Sequence, residues 1–371
     1  MNEEVIKKLQ SSPMFQLSLA SKELFHGNFL YWLWKAESDI FWSVMKYFEI
    51  ERDDEIVVRR EWENFDLSLV RMGNRMKRVG DEETEYVADV VAVIENKVKS
   101  LPRKEQLEGY DEKIEHVDKD TKCTKILLSL PELDFDLTGM SWKYIGYEEY
   151  VEVLKANKDK VTSPYNRAVL GDYCQLLDTL CTLKEEWLCG DDEAFLKKKY
   201  TSILKSNDEK EMRELRINDI RHKIIYSKMG ELLQVKIGPL SSKAAAGSAF
   251  TNSTGIVESN IFMKKTYDFD QFGIQVQGPQ YRRFIIKGKK KLSDDECISQ
   301  ISTSFPEQCL GVAFKHDGKK MIGSYGETFK YLYHLIDDNM TIGDVLEQMA
   351  KDIRHIISKY NNLILDKPNR K

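Results

Sequence analysis

Glu95, Asn96 and Lys97 close an apolar run, Val90-Val91-Ala92-Val93-Ile94. Side chains alternate along an extended strand, so Glu95 and Lys97 share a face about 6.6 Å apart. Charges at the end of so apolar a strand are costly to bury unless something compensates them. In the earlier segment Phe65-Asp66-Leu67-Ser68-Leu69, the apolar side chains share one face and Asp66 and Ser68 the other. Pairing of the two strands brings Asp66 and Glu95 to one place. Two carboxylates and the backbone carbonyl of Asn96 are hard oxygen ligands of the kind that hold Mg²⁺ or Mn²⁺. Phosphodiester hydrolysis uses these parts: a divalent cation to activate water and offset charge, and a lysine to orient that water beside the scissile phosphate. A structural ion pair between Glu95 and Lys97 is the other reading of the same spacing.

The elements that must position these residues can be read outward from them. Residues 21–35 predict a buried helix with Leu24, Phe25, Phe29, Trp32 and Leu33 on its apolar face, and residues 38–48 a second one capped by Ser38. EIVVRREW (55–62) and FDLSLVRM (65–72) read as strands joined by a tight connection at Glu63-Asn64. Residues 73–85, charged and with two glycines, read as a loop. EYVADVVAVIENKVKS (85–100) reads as a strand covered on both faces. A helix follows Pro102, and KCTKILLSLP (122–131) is a further strand. The order is α-β-β-β-α-β: an α/β fold with a mixed sheet flanked by helices. Beyond it, 162–188, 193–204 and 209–234 look helical. Residues 238–256 suit a long loop or an internal boundary, and strand-like pieces then lead to a closing helix near 341–360. This predicts a first domain over 1–160 and a C-terminal α+β region over 161–371 that selects substrate or mediates oligomerisation.

The chain of 371 residues is 42% hydrophobic and 32% charged, with a formal net charge of −5. That balance excludes coating of nucleic acid by bulk electrostatics and leaves local basic surfaces. Candidates are Arg75, Lys77 and Arg78, and Arg282, Arg283, Lys287 and Lys289. No stretch approaches the roughly 18 apolar residues of a membrane span, and MNEEVIKKLQ lacks an apolar signal region. The six cysteines contain no CxxC pair, which fits free thiols in a reducing cytoplasm. GKKKLS lacks the first glycine of a phosphate-binding loop, and neither GxSxG nor HExxH occurs.

SKELFHGNFLYWL, ENFDLSL, AVIENKVKS and QLEGY resemble, in order, the motifs of the PD-(D/E)XK nuclease superfamily. They are most similar to a bacterial branch with an LFHxNFLxWL-like first helix and an IENK…QLxxY core. The resemblance covers about residues 21–131 and continues more weakly through SWKYIGYEEY, GDYCQLLDTL and FGIQVQGPQYRR. It implies a restriction-endonuclease-like core, with Asp66 and Glu95 as acidic ligands and Lys97 as the catalytic lysine. Gln106 and Tyr110 resemble a Q-x-x-x-Y pair found after the core, on one helical face. Glu23 matches an acidic position that supports the metal. His26 and Asn28 sit where this branch carries His and Asn; a satisfied buried histidine is the plainer reading of His26. Phe65, rather than proline, precedes Asp66. The implied activity is that of a metal-dependent DNA endonuclease, as in phage defence. A nuclease-fold protein that binds without cleaving, an RNase, and a homo-oligomer remain open.

Overall fold

The structure is a computed structural model and describes residues 3–12, 14–15, 23–79, 82–117, 122–204, 212, 214–251, 254–288, 291–313 and 321–365. Two compact units divide the chain: Met1–Glu132, Asp136–Glu186 and Glu214–Arg216 form the first, and Leu133–Phe135, Trp187–Arg213 and Ile217–Lys371 the second. The first unit therefore runs to 186, past the boundary expected at 160.

In the first unit α1 (Glu3–Ser11), α2 (Glu23–Ala36) and α3 (Ser38–Tyr47) precede β1 (Ile56–Arg60), β2 (Leu67–Val79) and β3 (Glu82–Lys97). α4 (Lys104–Val117), β4 (Thr124–Ser129), β5 (Trp142–Gly146), α5 (Tyr147–Asn157) and α6 (Pro164–Leu188) follow. The five strands form one mixed sheet in the order β1-β2-β3-β4-β5. β1, β2 and β3 pair antiparallel, whereas β3, β4 and β5 pair parallel. β3 lies at the centre, and Val90, Ala92, Val93 and Ile94 are fully buried, as its unbroken apolar run requires. Leu30, Leu33, Phe41 and Met45 on α2 and α3 are likewise buried.

Two expectations fail here. Residues 73–79 and 82–85 are strand rather than loop, because β2 extends to Val79 and β3 begins at Glu82, and the two pair antiparallel along this length. The sheet also has a fifth strand, β5, which the sequence reading passed over.

The second unit contains α7 (Asp192–Lys197), α8 (Tyr200–Leu204), α9 (Asn218–Ile237), β6 (Ala245–Thr251), β7 (Thr254–Phe262), β8 (Gln271–Gln277) and β9 (Gln280–Ile286). Then come α10 (Asp294–Ser304), the short pair β10 (Gln308–Cys309) and β11 (Val312–Ala313), β12 (Ile322–Tyr325), β13 (Phe329–Leu335) and α11 (Ile342–Tyr360). Six strands form an antiparallel sheet in the order β12-β13-β9-β8-β7-β6. The small, polar segment 238–256, expected to be a long loop or an internal boundary, supplies β6 and the start of β7. Small residues serve there for a physical reason: a Cβ at Gly230 of α9 would stand 3.1 Å from the backbone of Gly247 and Ser248, so helix and strand meet backbone to backbone.

Candidate active site

Glu95, Asn96 and Lys97 end β3 opposite Leu127, Leu128 and Ser129 of β4. Glu95 is 3% exposed, Asn96 0% and Lys97 6%, so each polar group needs a partner from the protein or a ligand. The Lys97 ammonium meets Glu95 Oε1 at 2.5 Å. The same oxygen accepts from Gln106 Nε2 at 3.0 Å and from the Tyr110 hydroxyl at 3.2 Å. Gln106 and Tyr110 stand four apart on α4, one above the other on its inner face, and Gln106 Nε2 also donates to the Tyr110 oxygen at 2.7 Å. Burial first, and the Glu95 charge second, push the Tyr110 pKa well above its ordinary value. Tyr110 therefore stays protonated and donates.

Asp66 sits directly before β2, and its Oδ2 accepts the backbone N–H of Asn96 at 2.7 Å. The register explains the meeting. Leu67 pairs with Ile94, and the next antiparallel step sets Asp66 across from Glu95, with both side chains on one face. The turn before Asp66 is unusual: Glu61, Glu63 and Asn64 all have positive φ, at 52°, 52° and 67°. Non-glycine residues adopt that conformation at a cost of about 1–2 kcal/mol each. α4 holds the turn, since the Tyr110 hydroxyl reaches Asn64 O at 3.4 Å and Lys113 Nζ donates to Glu63 O at 3.2 Å. From α2, Gly27 packs so closely that a Cβ would lie 3.2 Å from the Asp66 carbonyl oxygen.

His26 is 2% exposed and its Nδ1 pairs with the Tyr173 hydroxyl at 2.9 Å, as a core histidine does. Glu23 opens α2, but its side chain lies outside the described residues, as do the side chains of Arg75, Lys77 and Arg78 and the whole of Lys289. Among the described residues no group of three or more His, Cys, Asp or Glu side chains is placed to hold a metal ion. Asp66, Glu95 and the Asn96 carbonyl, three hard oxygen donors, suit a cation that takes its other ligands from water and substrate.

Residues 14–175 match the family model of the PD-(D/E)XK nuclease superfamily. No curated protein and no solved structure matches the chain. The matched PD-(D/E)XK stretch contains Asp66, Glu95, Lys97, Gln106 and Tyr110, upholds the resemblance read from the motifs, and implies nuclease, that is phosphodiesterase, activity. Nucleases of this superfamily typically use divalent metals and bind nucleic acid. No helix among the described residues is long and apolar enough to cross a membrane.

The basic surface expected at Arg282, Arg283 and Lys287 needs correction. Adjacent residues on β9 point to opposite faces, and both arginines are buried. Arg283, 1% exposed, forms a two-pronged pair with Asp352 of α11 at 2.7 and 2.9 Å. Arg282, 8% exposed, donates to Gln275 at 2.9 Å and lies over the Tyr331 ring at 4.5 Å. Lys287 pairs with Glu296 and Asp268. Sequence reasoning saw the cations but not Asp352 and Glu296, the acids that α11 and α10 bring to Arg283 and Lys287. It also passed over Arg60, which ends β1 just before the Glu63-Asn64 turn, and Lys113, which only the fold brings to that turn.

Proposed function

We propose that this protein is a divalent-metal-dependent endonuclease, acting on DNA through a restriction-endonuclease-like core. One observation carries the reading: Asp66 stands across from Glu95, one step beyond the Leu67–Ile94 pair, with Lys97 against Glu95 and Asp66 against the Asn96 N–H. Asp66, Glu95 and the Asn96 carbonyl would hold Mg²⁺ or Mn²⁺, which would supply Lewis acidity and an activated water. The chain's own groups do the rest. Gln106 and Tyr110 fix one oxygen of Glu95, so its carboxylate keeps a set orientation. Lys97 brings positive charge to the face where the scissile phosphate would sit. Preference for DNA and a place in phage defence rest on the motif resemblance, and free thiols at all six cysteines fit a reducing cytoplasm.

The tight Lys97–Glu95 contact favours a second reading, a nuclease fold that binds nucleic acid and uses the pair structurally. Supercoiled plasmid, linear duplex, single strands and RNA, each offered with Mg²⁺, Mn²⁺ or EDTA, separate the two. Metal-dependent nicking of plasmid, lost in Asp66→Asn and Glu95→Gln, is the expected result. Binding without cleavage under every condition would leave only the second reading.

A further inference from the structure

Arg60 differs from its neighbours among the cations of the first unit. Arg52, Arg71, Lys125, Lys143 and Lys155 all meet carboxylates. Arg60 meets none among the described residues. Its guanidinium lies over the Tyr31 ring, 4.3 Å from the centroid, and Nη1 donates to Asn28 Oδ1 at 2.8 Å. Arg60 is exposed, and pairs with Leu67, the residue after Asp66. Asn28 follows Gly27, whose backbone packs on the Asp66 carbonyl. The arrangement therefore adjoins the backbone of Asp66 through both β1 and α2.

It also continues away from them. Asn28, Tyr31 and Lys35 fall at i, i+3 and i+7, one side of α2. Lys35 lies over the Trp34 ring at 4.0 Å, again with no carboxylate partner among the described residues. Tyr31 and Trp34 are in edge contact at 5.5 Å. A guanidinium resting over a ring, with one donor on an amide oxygen, keeps most of its five N–H donors available for phosphate oxygens. Aromatic rings beside unpaired cations are what unstacked bases and their backbone require.

We infer that Asn28, Tyr31, Trp34, Lys35 and Arg60 form a docking strip for a single-stranded segment of a polynucleotide, leading it past Asp66. The inference deepens the nuclease reading and rests on it for the strip's purpose. It assigns nucleic-acid contact to a surface that charge clustering did not single out, because here the cations are spaced along a helix and a strand end.

The test uses the full-length protein and two kinds of phosphodiester. Binding of a labelled single-stranded oligonucleotide is measured by anisotropy in EDTA, and cleavage is measured with Mn²⁺. In parallel, hydrolysis of bis(4-nitrophenyl) phosphate, too small to span the strip, reports on the chemistry alone. Arg60→Glu and Lys35→Glu should each weaken oligonucleotide binding about tenfold or more and flatten its salt dependence. Hydrolysis of the small diester should stay within about twofold of the parent, which also shows that the variants fold. Arg60→Lys should fall between, since it keeps charge and loses the flat fork. Lys143→Ala, a surface lysine already paired with Glu49, serves as the unaffected control. Unchanged oligonucleotide binding in both Arg60→Glu and Lys35→Glu would overturn the docking strip and leave the nuclease reading intact. If the parent hydrolyses neither diester, the nuclease reading fails, and the anisotropy arm still decides whether the strip binds polynucleotide.

Discussion

Lys97 is buried against a carboxylate at 2.5 Å, and the two roles open to it make opposite demands on an experiment. As part of a nuclease, Lys97→Ala should lower metal-dependent cleavage on the order of a hundredfold or more, the loss typical of one preorganised charge. Metal and substrate binding should largely survive. As half of a structural pair, its removal strands Glu95 and should lower stability by about 3–5 kcal/mol. Cleavage rate and melting temperature, taken on one preparation, decide. Tyr110 gives a separate handle. Its pKa is raised in the folded protein, so the stability it confers is present below the unfolded value of about 10 and is lost as pH rises beyond that. The parent should accordingly lose melting temperature more steeply above that pH than Tyr110→Phe does. Parallel curves for the two proteins would remove Tyr110 from the Glu95 cluster. The types and spacing of Glu95, Lys97, Gln106 and Tyr110 were legible in the sequence because each lies on a regular element whose period is known, and Asp66 because it directly precedes one. The fate of Arg283 was not, since nothing local announces that Asp352 waits on a helix far along the chain.

At the level of elements, the turn from Glu61 to Asn64 concentrates three left-handed residues ahead of Asp66. Glycine relieves that conformation at no steric cost. Glu63→Gly should therefore raise stability, by up to about 1 kcal/mol, as read from a denaturation midpoint. A fall instead would mean that the Glu63 side chain outweighs the backbone term. The long β2–β3 hairpin shows where reading by period fails. Its distal part pairs Arg78 with Glu83 and Lys77 with Thr84, a ladder of polar residues with no apolar alternation to detect. Cross-strand complementarity of charge was the available signal. β5 was missed for another reason. Trp142–Gly146 is short, and it becomes a strand because β4 offers it an edge.

Across the whole molecule, each unit hides its polar groups behind different partners. In the second unit the Arg283–Asp352 pair is almost wholly buried, and Asp352 also accepts from Tyr281 and Gln348. Asp352→Ala should lower stability by about 3–5 kcal/mol, and Arg283→Ala should do likewise without altering the salt dependence of nucleic-acid binding. A changed salt slope in Arg283→Ala would return that residue to the binding surface. The candidate site predicts the complementary behaviour. Mn²⁺ at a hundred times its dissociation constant should stabilise the protein by about 2.7 kcal/mol, and the double variant Asp66→Asn, Glu95→Gln should show no such gain.

The hairpin that brings Asp66 to Glu95 has a consequence for how this chain is made. Lys97, Gln106 and Tyr110, which all bond Glu95, leave the ribosome before β4 does. β3 pairs antiparallel with β2 through a local connection, whereas its parallel partner must wait for α4 to cross over. A nascent chain that ends within α4 thus already carries the carboxylates and the lysine, while the other edge of its most apolar strand has no β4 to pair with. Such an edge is a template for wrong pairing. Translation pauses in that interval should aggregate the protein, and a chain extended through Ser129 should escape that fate.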